Sequence, residues 1–373
     1  MLLMNLAYFD VSTLKLNSFD FMKSPPQGAV CLYTLKNPSH PEYVFTTDAP
    51  VMCVDIHPAH PHLFVVGRWD GNVAVYNVRL HSNQPQYRSN SVRHKHESIV
   101  WQVKWGKDLP DGEINFYSIA ADGFVHNWII TAKDLTKSTI IPLSLDVSPI
   151  SGPDGITICV KGCGTAITFH PNEPLTFLVG TEEGYIHKCS TAYTSMYLMT
   201  YQAHHMPIHR IDYNKFNPNI FISCSADWRI KMWEDNRMIP LFVFDVGSPI
   251  GDIEWSPYSS TVFACVTNDG KVHVFDININ KYKPICSQSV VSKKRNKLTR
   301  LSFNFKLPII IVGDDRGSLI TLKMSPNLRK KMKPPKKGPP IDPWVLEARK
   351  LEKLLALVRE PGLQVELSVS ARE

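Results

Sequence analysis

The chain has 373 residues, of which 43% are hydrophobic and 20% charged, as in soluble globular proteins. Its formal net charge of +7 is concentrated in residues 327–337, which hold six lysines and arginines. This mild, local basicity favours an acidic partner surface over general nucleic-acid binding. No apolar run reaches the roughly 18–20 residues of a membrane span. The apolar start lacks the basic region and cleavage site of a secretory signal.

The cysteines do not show the dense, regular spacing of a disulfide framework. Most lie in apolar runs such as VMCV, ITICV and FACV, and the positions are 31, 53, 159, 163, 189, 224, 265 and 286. We therefore expect reduced core residues of an intracellular protein.

One short pattern of four positions recurs along the chain. A turn residue comes first, the second position is usually glycine, the third is any residue, and the fourth is β-branched or aliphatic. The turn residues are Gln27, Asp70, Asp122, Glu183, Asp227, Asp269 and Arg316. They are 42 to 61 residues apart, and blades of WD-type propellers are about 40–45 residues long. We assign loop-like inserts, 79–97 and 133–155, to the two longest intervals.

Each repeat predicts a four-stranded unit. Asp-Gly between two β-rich runs is a tight hairpin turn, because glycine accepts positive φ. Apolar runs such as LFVVG and FISCS precede the turns, as in strands buried on both faces. Further runs upstream and downstream, such as 241–246, complete four antiparallel strands. The fold is predicted to be an all-β WD-repeat propeller over 27–325, with seven blades of which the first is incomplete.

The N-terminal segment 1–26 reads as irregular. The first repeat has the strand-like runs AVCLYTL and EYVFTT but no convincing pair of strands before them. No fourth strand follows Leu322 in the last repeat, so we expect residues 2–9 to complete that blade across the seam. The alternative is a shortened form that begins partway into the first blade.

Two repeats carry a further polar set at the positions where WD-repeat blades place a structural network. The sets are His96, Ser118, Asp122 and Trp128, and His204, Ser223, Asp227 and Trp233. In both, the serine stands four residues before the aspartate and the tryptophan six after it. We expect each histidine–aspartate pair to pin the hairpin turn.

A serine, a histidine and an aspartate could instead form a catalytic triad. The sets recur with the turn, however, and no G-x-S-x-G surrounds either serine. No phosphate-binding G-x-x-x-x-G-K-[ST] is present. His57, His60 and His62 have no matching cysteine or carboxylate spacing for a metal. We expect no catalytic residue, no cofactor and no metal.

The C-terminal part divides into a basic, proline-rich linker (326–341), an amphipathic helix (342–361) and a tail (362–373). Asp342 suits an N-cap and Pro343 the first helical position. Trp344, Leu351, Leu355 and Val358 lie on one apolar stripe. This helix either contacts a partner through that stripe or packs on the propeller.

The hairpin turns also supply candidate binding residues. Tryptophan and arginine are enriched at interface hot spots, and the turns hold Arg68, Trp69, Trp228, Arg229 and Arg316. Trp228 stands where most other repeats have glycine. We predict that these residues form a partner-binding rim.

Longer strings carry a more specific resemblance. Among them are GCGTAITFHP, SCSADWRIKMWE, WSPYSSTVFACVTNDGKVHVFDININKY and the terminal LEKLLALVRE. Over about residues 21–360 the chain resembles the intermediate chains of axonemal outer-arm dynein. The resemblance implies a non-catalytic scaffold subunit whose propeller binds the tail of a dynein heavy chain, with a second intermediate chain beside it, in cilia and flagella. A generic WD-repeat adaptor in another complex is the alternative.

The resemblance also implies partners that this sequence puts in doubt. In the family, light chains bind an extension ahead of the propeller, which this sequence lacks. Light-chain binding and stable pairing with the second intermediate chain are therefore doubtful. We expect indirect microtubule contact, no nucleic acid, no membrane, and a location in the cytoplasm, the cytoskeleton and the ciliary axoneme.

Overall fold

The described part of the chain folds into six antiparallel blades around a channel, with a three-stranded sheet near the N-terminus and a helix near the C-terminus. The computed structural model describes residues 6–9, 28–80, 82–89, 94–107, 112–131, 134–145, 150–151, 157–158, 161–291, 296–329 and 342–359. The first predicted turn residue, Gln27, most of the linker and the whole tail lie outside these ranges. Within them, no helix is long and apolar enough to cross a membrane.

Strands of blades 1 to 3 run outward from the channel in chain order. Blade 1 comprises β4 (Val51–Ile56), β5 (Leu63–Arg68), β6 (Val73–Asn77) and β7 (Tyr87–Arg88). Blade 2 comprises β8 (Val100–Trp105), β9 (Ile114–Ala120), β10 (Phe124–Ile130) and β11 (Leu135–Pro142). A short pair, β12 (Ile150–Ser151) and β13 (Thr157–Ile158), follows. Blade 3 comprises β14 (Gly164–Phe169), β15 (Thr176–Thr181), β16 (Tyr185–Ser190) and β17 (Met199–Gln202).

Blades 4 to 6 repeat the arrangement, and the last has three strands. Blade 4 comprises β18 (Ile208–Tyr213), β19 (Ile220–Ser225), β20 (Arg229–Glu234) and β21 (Phe242–Asp245). Blade 5 comprises β22 (Ile250–Trp255), β23 (Val262–Thr267), β24 (Lys271–Asp276) and β25 (Cys286–Ser289). Blade 6 comprises β26 (Leu298–Phe303), β27 (Ile309–Asp314) and β28 (Leu319–Lys323).

The propeller has six blades, so the prediction of seven is wrong. A cavity of about 540 Å³ is lined by residues from the first strand of every blade, including Asp55, Lys104, Thr168, Arg210 and Arg300. The described residues of the N-terminal repeat contribute no such inner strand. Its strands form a separate sheet of β1 (Leu6–Phe9), β2 (Gly28–Leu32) and β3 (Tyr43–Thr47).

Residues 6–9 do not complete the last blade, contrary to the expectation for residues 2–9. They pair antiparallel with β2, so that Tyr8 lies opposite Val30. The sheet β1–β3 buries Val30 and Phe45 in one apolar cluster with Phe64 and Tyr76 of blade 1. Burial against blade 1 therefore accounts for the position of this sheet. Residues 2–5 lie outside the described ranges.

The two predicted inserts are not wholly loops. Each contains the fourth strand of its blade, since β7 lies within 79–97 and β11 within 133–155. In β11 most side chains are exposed or half-buried, and its sequence LTKSTIIP is largely polar. A strand whose side chains remain accessible to solvent needs no apolar run, so the apolar pattern does not identify β11.

Adjacent blades are joined by apolar packing and by carboxylates of the inner strands. The second strands are mostly buried, β19 and β23 completely, and they fill the clusters between blades. Asp55 accepts a hydrogen bond from the backbone N–H of Trp105 in the next blade (3.0 Å). Asp212 does the same for Trp255 (2.9 Å), and Glu254 for Phe303 (2.8 Å). These bonds fix the register between neighbouring inner strands.

Strand direction alternates within each blade, so its connections fall on two opposite rims. We letter the strands of each blade a to d, from the channel outward. The turn between strands b and c, the second and third, lies on the rim that we call the b–c rim. The loops between the first and second strands, and between the third and fourth, lie on the opposite rim, which we call the c–d rim. The helix α1 (Pro343–Ala356) begins at the N-cap Asp342 and packs on blades 4 and 5.

Candidate binding surfaces

The polar set of blade 2 forms a closed network. His96 Nδ1 lies 2.8 Å from Asp122 Oδ2, and His96 Nε2 lies 2.6 Å from Ser118 Oγ. Trp128 donates its indole N–H to the same serine oxygen (2.7 Å). His96, Ser118 and Trp128 have no exposed surface. The network thus ties the strand before the turn, the turn itself and the loop entering the blade.

Blade 4 repeats this network with nearly the same geometry. His204 Nδ1 lies 2.9 Å from Asp227 Oδ2, His204 Nε2 lies 2.8 Å from Ser223 Oγ, and Trp233 donates to Ser223 (3.0 Å). The Ser223 hydroxyl is fully buried between its two partners. A hydroxyl so enclosed has no approach for a substrate, which supports a structural role for the network.

The hydrogen bonds of both networks favour the charged form of the aspartate. Burial acts to raise the pKa of Asp122 and of Asp227, but the hydrogen bond and charge of the partner histidine and backbone N–H donors outweigh it. The net pKa of each carboxyl is lowered. Burial lowers the pKa of His204, against the opposing effect of Asp227. Each aspartate is therefore held as an anion that accepts from its turn.

One further histidine lies against the blade 2 network. The ring of His126 stacks on that of His96 with centroids 4.3 Å apart, and His126 Nδ1 is buried with no hydrogen-bond partner among the residues that the structure describes. The ligand atoms of His96, Asp122 and His126 lie within 4.8 Å of one another. Both ring nitrogens of His96 are already engaged by Asp122 and Ser118. The trio therefore fits a hydrogen-bonded network better than a metal site.

Trp228 is the most unusual residue of the b–c rim. It has φ of 70°, and the matching turn positions in five other repeats are glycines with φ between 78° and 94°. Its backbone carbonyl accepts from Val246 N–H (3.0 Å), as the turn glycine of blade 3 accepts from His204. The side chain is 50% exposed. A bulky residue in the left-handed region is strained.

The other predicted rim residues differ in accessibility. Trp69 is 56% exposed in blade 1, and Arg229 and Arg316 are exposed in blades 4 and 6. Arg68 is only 2% exposed and pairs with Asp70 at 2.8 Å. Arg68 therefore cannot contact a partner, and its place in the rim was a wrong prediction. No hydrogen bond, ion pair or ring contact joins the remaining four side chains to one another within the described residues.

The stripe of α1 faces the propeller, which corrects the interpretation as a partner-binding helix. Leu351 and Leu355 have no exposed surface and lie in one cluster with Phe244 and Trp255, and Val358 packs at its edge. Trp344 is different: its ring lies tilted against that of Phe216, with centroids 4.3 Å apart, and the residue is 50% exposed. The apolar face of α1 is thus covered by blades 4 and 5.

The c–d rim carries a second set of exposed apolar side chains that the sequence reasoning missed. They belong to the outer loops of blades 3 to 5 and the inner loop of blade 6: Tyr193, Met196, Met238, Ile239, Ile279, Tyr282, Phe305 and Leu307. Short segments that mix apolar and lysine residues, such as NINKYKP, are the only sequence signal for this set. The hairpin motif does not identify them, because these loops lie at the opposite ends of the strands.

Comparison with known proteins agrees with this architecture. The family described as WD domain, G-beta repeat matches residues 30–77 and 195–234. The chain is 52% identical over 96% of its length to the ciliary dynein intermediate chain 2 of Heliocidaris crassispina. It is 48% identical over 95% to the axonemal dynein intermediate chain 1 of Bos taurus.

The chain belongs to the dynein intermediate chain family. It is also 39% identical, over 95% of its length, to the 78 kDa intermediate chain of the flagellar outer arm of Chlamydomonas reinhardtii. It spans about half the length of the curated relatives it matches, 51% of the sea urchin and bovine chains. A solved structure, the computationally designed Ika8 protein, superposes with a TM-score of 0.54 at 17% identity. That match covers 80% of this chain and 78% of the other, and it shows the fold alone.

Proposed function

We propose that this chain is a non-catalytic intermediate-chain subunit of the axonemal outer dynein arm, and that its propeller binds the tail of a dynein heavy chain. It would thereby support motor assembly for ciliary and flagellar beating. The relatives named for the axoneme, the cilium and the flagellar outer arm support this role. The same names support a location in the cytoskeleton of the axoneme.

The proposed binding surface rests on the conformation and exposure of Trp228. Its backbone is held in the left-handed region while its indole is half-exposed on the b–c rim, with exposed Arg229 beside it. A large aromatic beside a guanidinium is the composition of an interface hot spot. A glycine would satisfy the turn at lower cost, so the tryptophan is best explained by what it contacts.

Co-purification of the heavy chain with tagged variants tests this proposal. Trp228→Ala and Arg229→Ala together should weaken binding by about thirtyfold, since truncating a hot spot costs about 2 kcal/mol. Tyr193→Ala is the matched control, because Tyr193 is 52% exposed but lies on the opposite rim. Unchanged heavy-chain recovery with the double variant, with thermal unfolding preserved, would refute the assignment of this rim.

A further inference from the structure

Two neighbouring loops of the c–d rim combine exposed apolar residues with lysines. The loop 277–285 joins β24 to β25 in blade 5, and the loop 304–308 joins β26 to β27 in blade 6. Ile279 is 70% exposed, Tyr282 79% and Phe305 68%. We call these two loops the lysine–aromatic patch. Exposed apolar side chains on loops of adjacent blades are typical of interaction sites.

The charge of the patch has one sign. Lys281 and Lys283 flank Tyr282, and Lys306 follows Phe305, whereas neither loop contains an aspartate or glutamate. The ammonium groups of these three lysines make no hydrogen bond or ion pair with any described residue. The lysines therefore remain available to an anionic partner, in contrast to Lys188, which is paired with Asp235 at 2.6 Å.

The first loop of blade 5 contacts both loops of the patch. Its Tyr258 donates its hydroxyl to the carbonyl of Leu307 (2.7 Å), and its Thr261 carbonyl accepts from Ile277 N–H (3.1 Å). Within the longer loop, Asn280 Oδ1 accepts from the N–H groups of Tyr282 (2.9 Å) and Lys283 (3.1 Å). A surface ordered before binding pays little conformational entropy when a partner docks.

We infer that the lysine–aromatic patch binds an acidic protein segment that carries apolar side chains. The carboxylates of such a segment would pair with Lys281, Lys283 and Lys306, while its apolar groups would cover Tyr282 and Phe305. A lipid surface fits less well. The amphipathic helix of the described residues, α1, buries its apolar face in the propeller and offers no membrane-binding face.

This inference does not depend on the proposed heavy-chain rim, which lies on the opposite side of the propeller. The two surfaces would let one chain hold two partners at once. Loss of binding at one rim with retention at the other separates the two proposals.

Selection from a displayed library of random peptides, with the full chain as bait, tests the patch. Peptides should be selected on the wild-type chain and counter-selected on Lys281→Glu/Lys283→Glu. The recovered peptides should be rich in Asp and Glu with interspersed Leu, Phe or Trp. Fluorescence anisotropy should show about fivefold weaker binding for each single lysine variant, the equivalent of a surface ion pair worth about 1 kcal/mol.

One control and two further variants decide the outcome. Arg79→Glu, which reverses a charge on the same rim beside exposed Leu80 in blade 1, should leave affinity unchanged. Tyr282→Ser and Phe305→Ser should each weaken binding about tenfold or more, with unaltered thermal unfolding, as for hot-spot side chains. Failure to recover lysine-dependent peptides, recovery of peptides without acidic residues, or co-sedimentation with phosphatidylserine vesicles in place of peptide binding would overturn the inference.

Discussion

Glu347 of α1 accepts a hydrogen bond from the backbone N–H of Ser260 in blade 5, with 3.1 Å between Oε2 and N, although 87 residues separate them in the chain. The Ser260 hydroxyl in turn donates to the Glu347 carbonyl (2.7 Å). Glu347 is 3% exposed, and Lys350 lies 3.4 Å from its carboxylate. This buried carboxylate fixes the position of α1 along the blades, while the leucines of the stripe supply the apolar contact.

Replacing Glu347 should therefore loosen α1. We expect Glu347→Ala to lower the free energy of unfolding by about 1–3 kcal/mol, because the Ser260 N–H is left buried without a partner. Urea unfolding measures the change, and limited proteolysis within 343–356 should become faster. Glu352→Ala is the control: Glu352 is exposed on the same helix, and its loss should cost under about 1 kcal/mol. Equal effects of the two substitutions would contradict the role given to Glu347.

The sequence predicts that α1 is a helix, but it does not predict which residues the helix packs on. Asp342, Pro343 and the spacing of Leu351 and Leu355 indicate a capped amphipathic helix, and the cap is present, with Trp344 N–H donating to Asp342 (2.9 Å). The residues that cover the stripe come from strands more than sixty positions earlier, and no local pattern identifies them. Nothing in the sequence indicates that Glu347 is buried, since glutamate in a helix usually faces solvent.

The two serine-centred networks predict a matched pair of substitutions. Ser118→Ala and Ser223→Ala should each cost about 1–3 kcal/mol, because a buried indole N–H and a histidine nitrogen lose their partner. The two losses should add in the double variant, since the networks lie in different blades. Urea unfolding of both singles and the double checks this. Ser138→Ala, at an exposed serine of β11, should be nearly neutral. An effect confined to one blade would show that the networks are not equivalent.

His126 predicts a pH dependence of stability. Burial, then the charges of His96 and Lys137, lower its pKa from 6.5 to about 3. A pKa lowered on folding means that the unfolded chain binds the proton more tightly. The stabilising contribution is thus complete above pH 6.5 and is lost as the pH falls toward about 3, by about 1.4 kcal/mol per pH unit at most.

The His126→Phe variant isolates this contribution. Phenylalanine keeps the ring between His96 and Phe124, which stack on His126 at 4.3 and 5.8 Å, but it cannot titrate. Its melting temperature should fall less steeply than that of the parent between pH 6.5 and pH 4. Some slope should remain, because the lowered pKa of His204 acts in the same direction. Identical slopes for parent and variant would rule out His126 as the source.

The blade count shows where repeat counting stops being reliable. The hairpin turns predict the position of each blade correctly from Asp70 onward, since a turn needs only local chemistry. The N-terminal repeat has strand-like sequence too, but a blade also needs an inner strand at the channel, and that depends on distant packing. Arg68 illustrates the same limit: only the fold reveals that its guanidinium turns inward to Asp70 rather than outward.

Replacement by glycine should change the free energy of unfolding in opposite directions at Trp228 and at Trp69. Trp228→Gly should raise the free energy of unfolding by about 0.5–1 kcal/mol, because glycine relieves a left-handed residue of about 1–2 kcal/mol of strain at a smaller entropic cost. Trp69 is not among the residues with positive φ. Trp69→Gly should therefore lower stability by a similar amount, since glycine only adds freedom to the unfolded chain.

Thermal unfolding and heavy-chain recovery, measured on the same preparations, test whether the strained Trp228 is kept for binding. If Trp228 is kept for binding, Trp228→Gly should yield a more stable chain that recovers less heavy chain. A chain that is more stable and binds equally well would show that the strain serves no interface on the b–c rim. A destabilised Trp228→Gly variant would show instead that the indole packs on the loop after Val246, whose N–H donates to the Trp228 carbonyl.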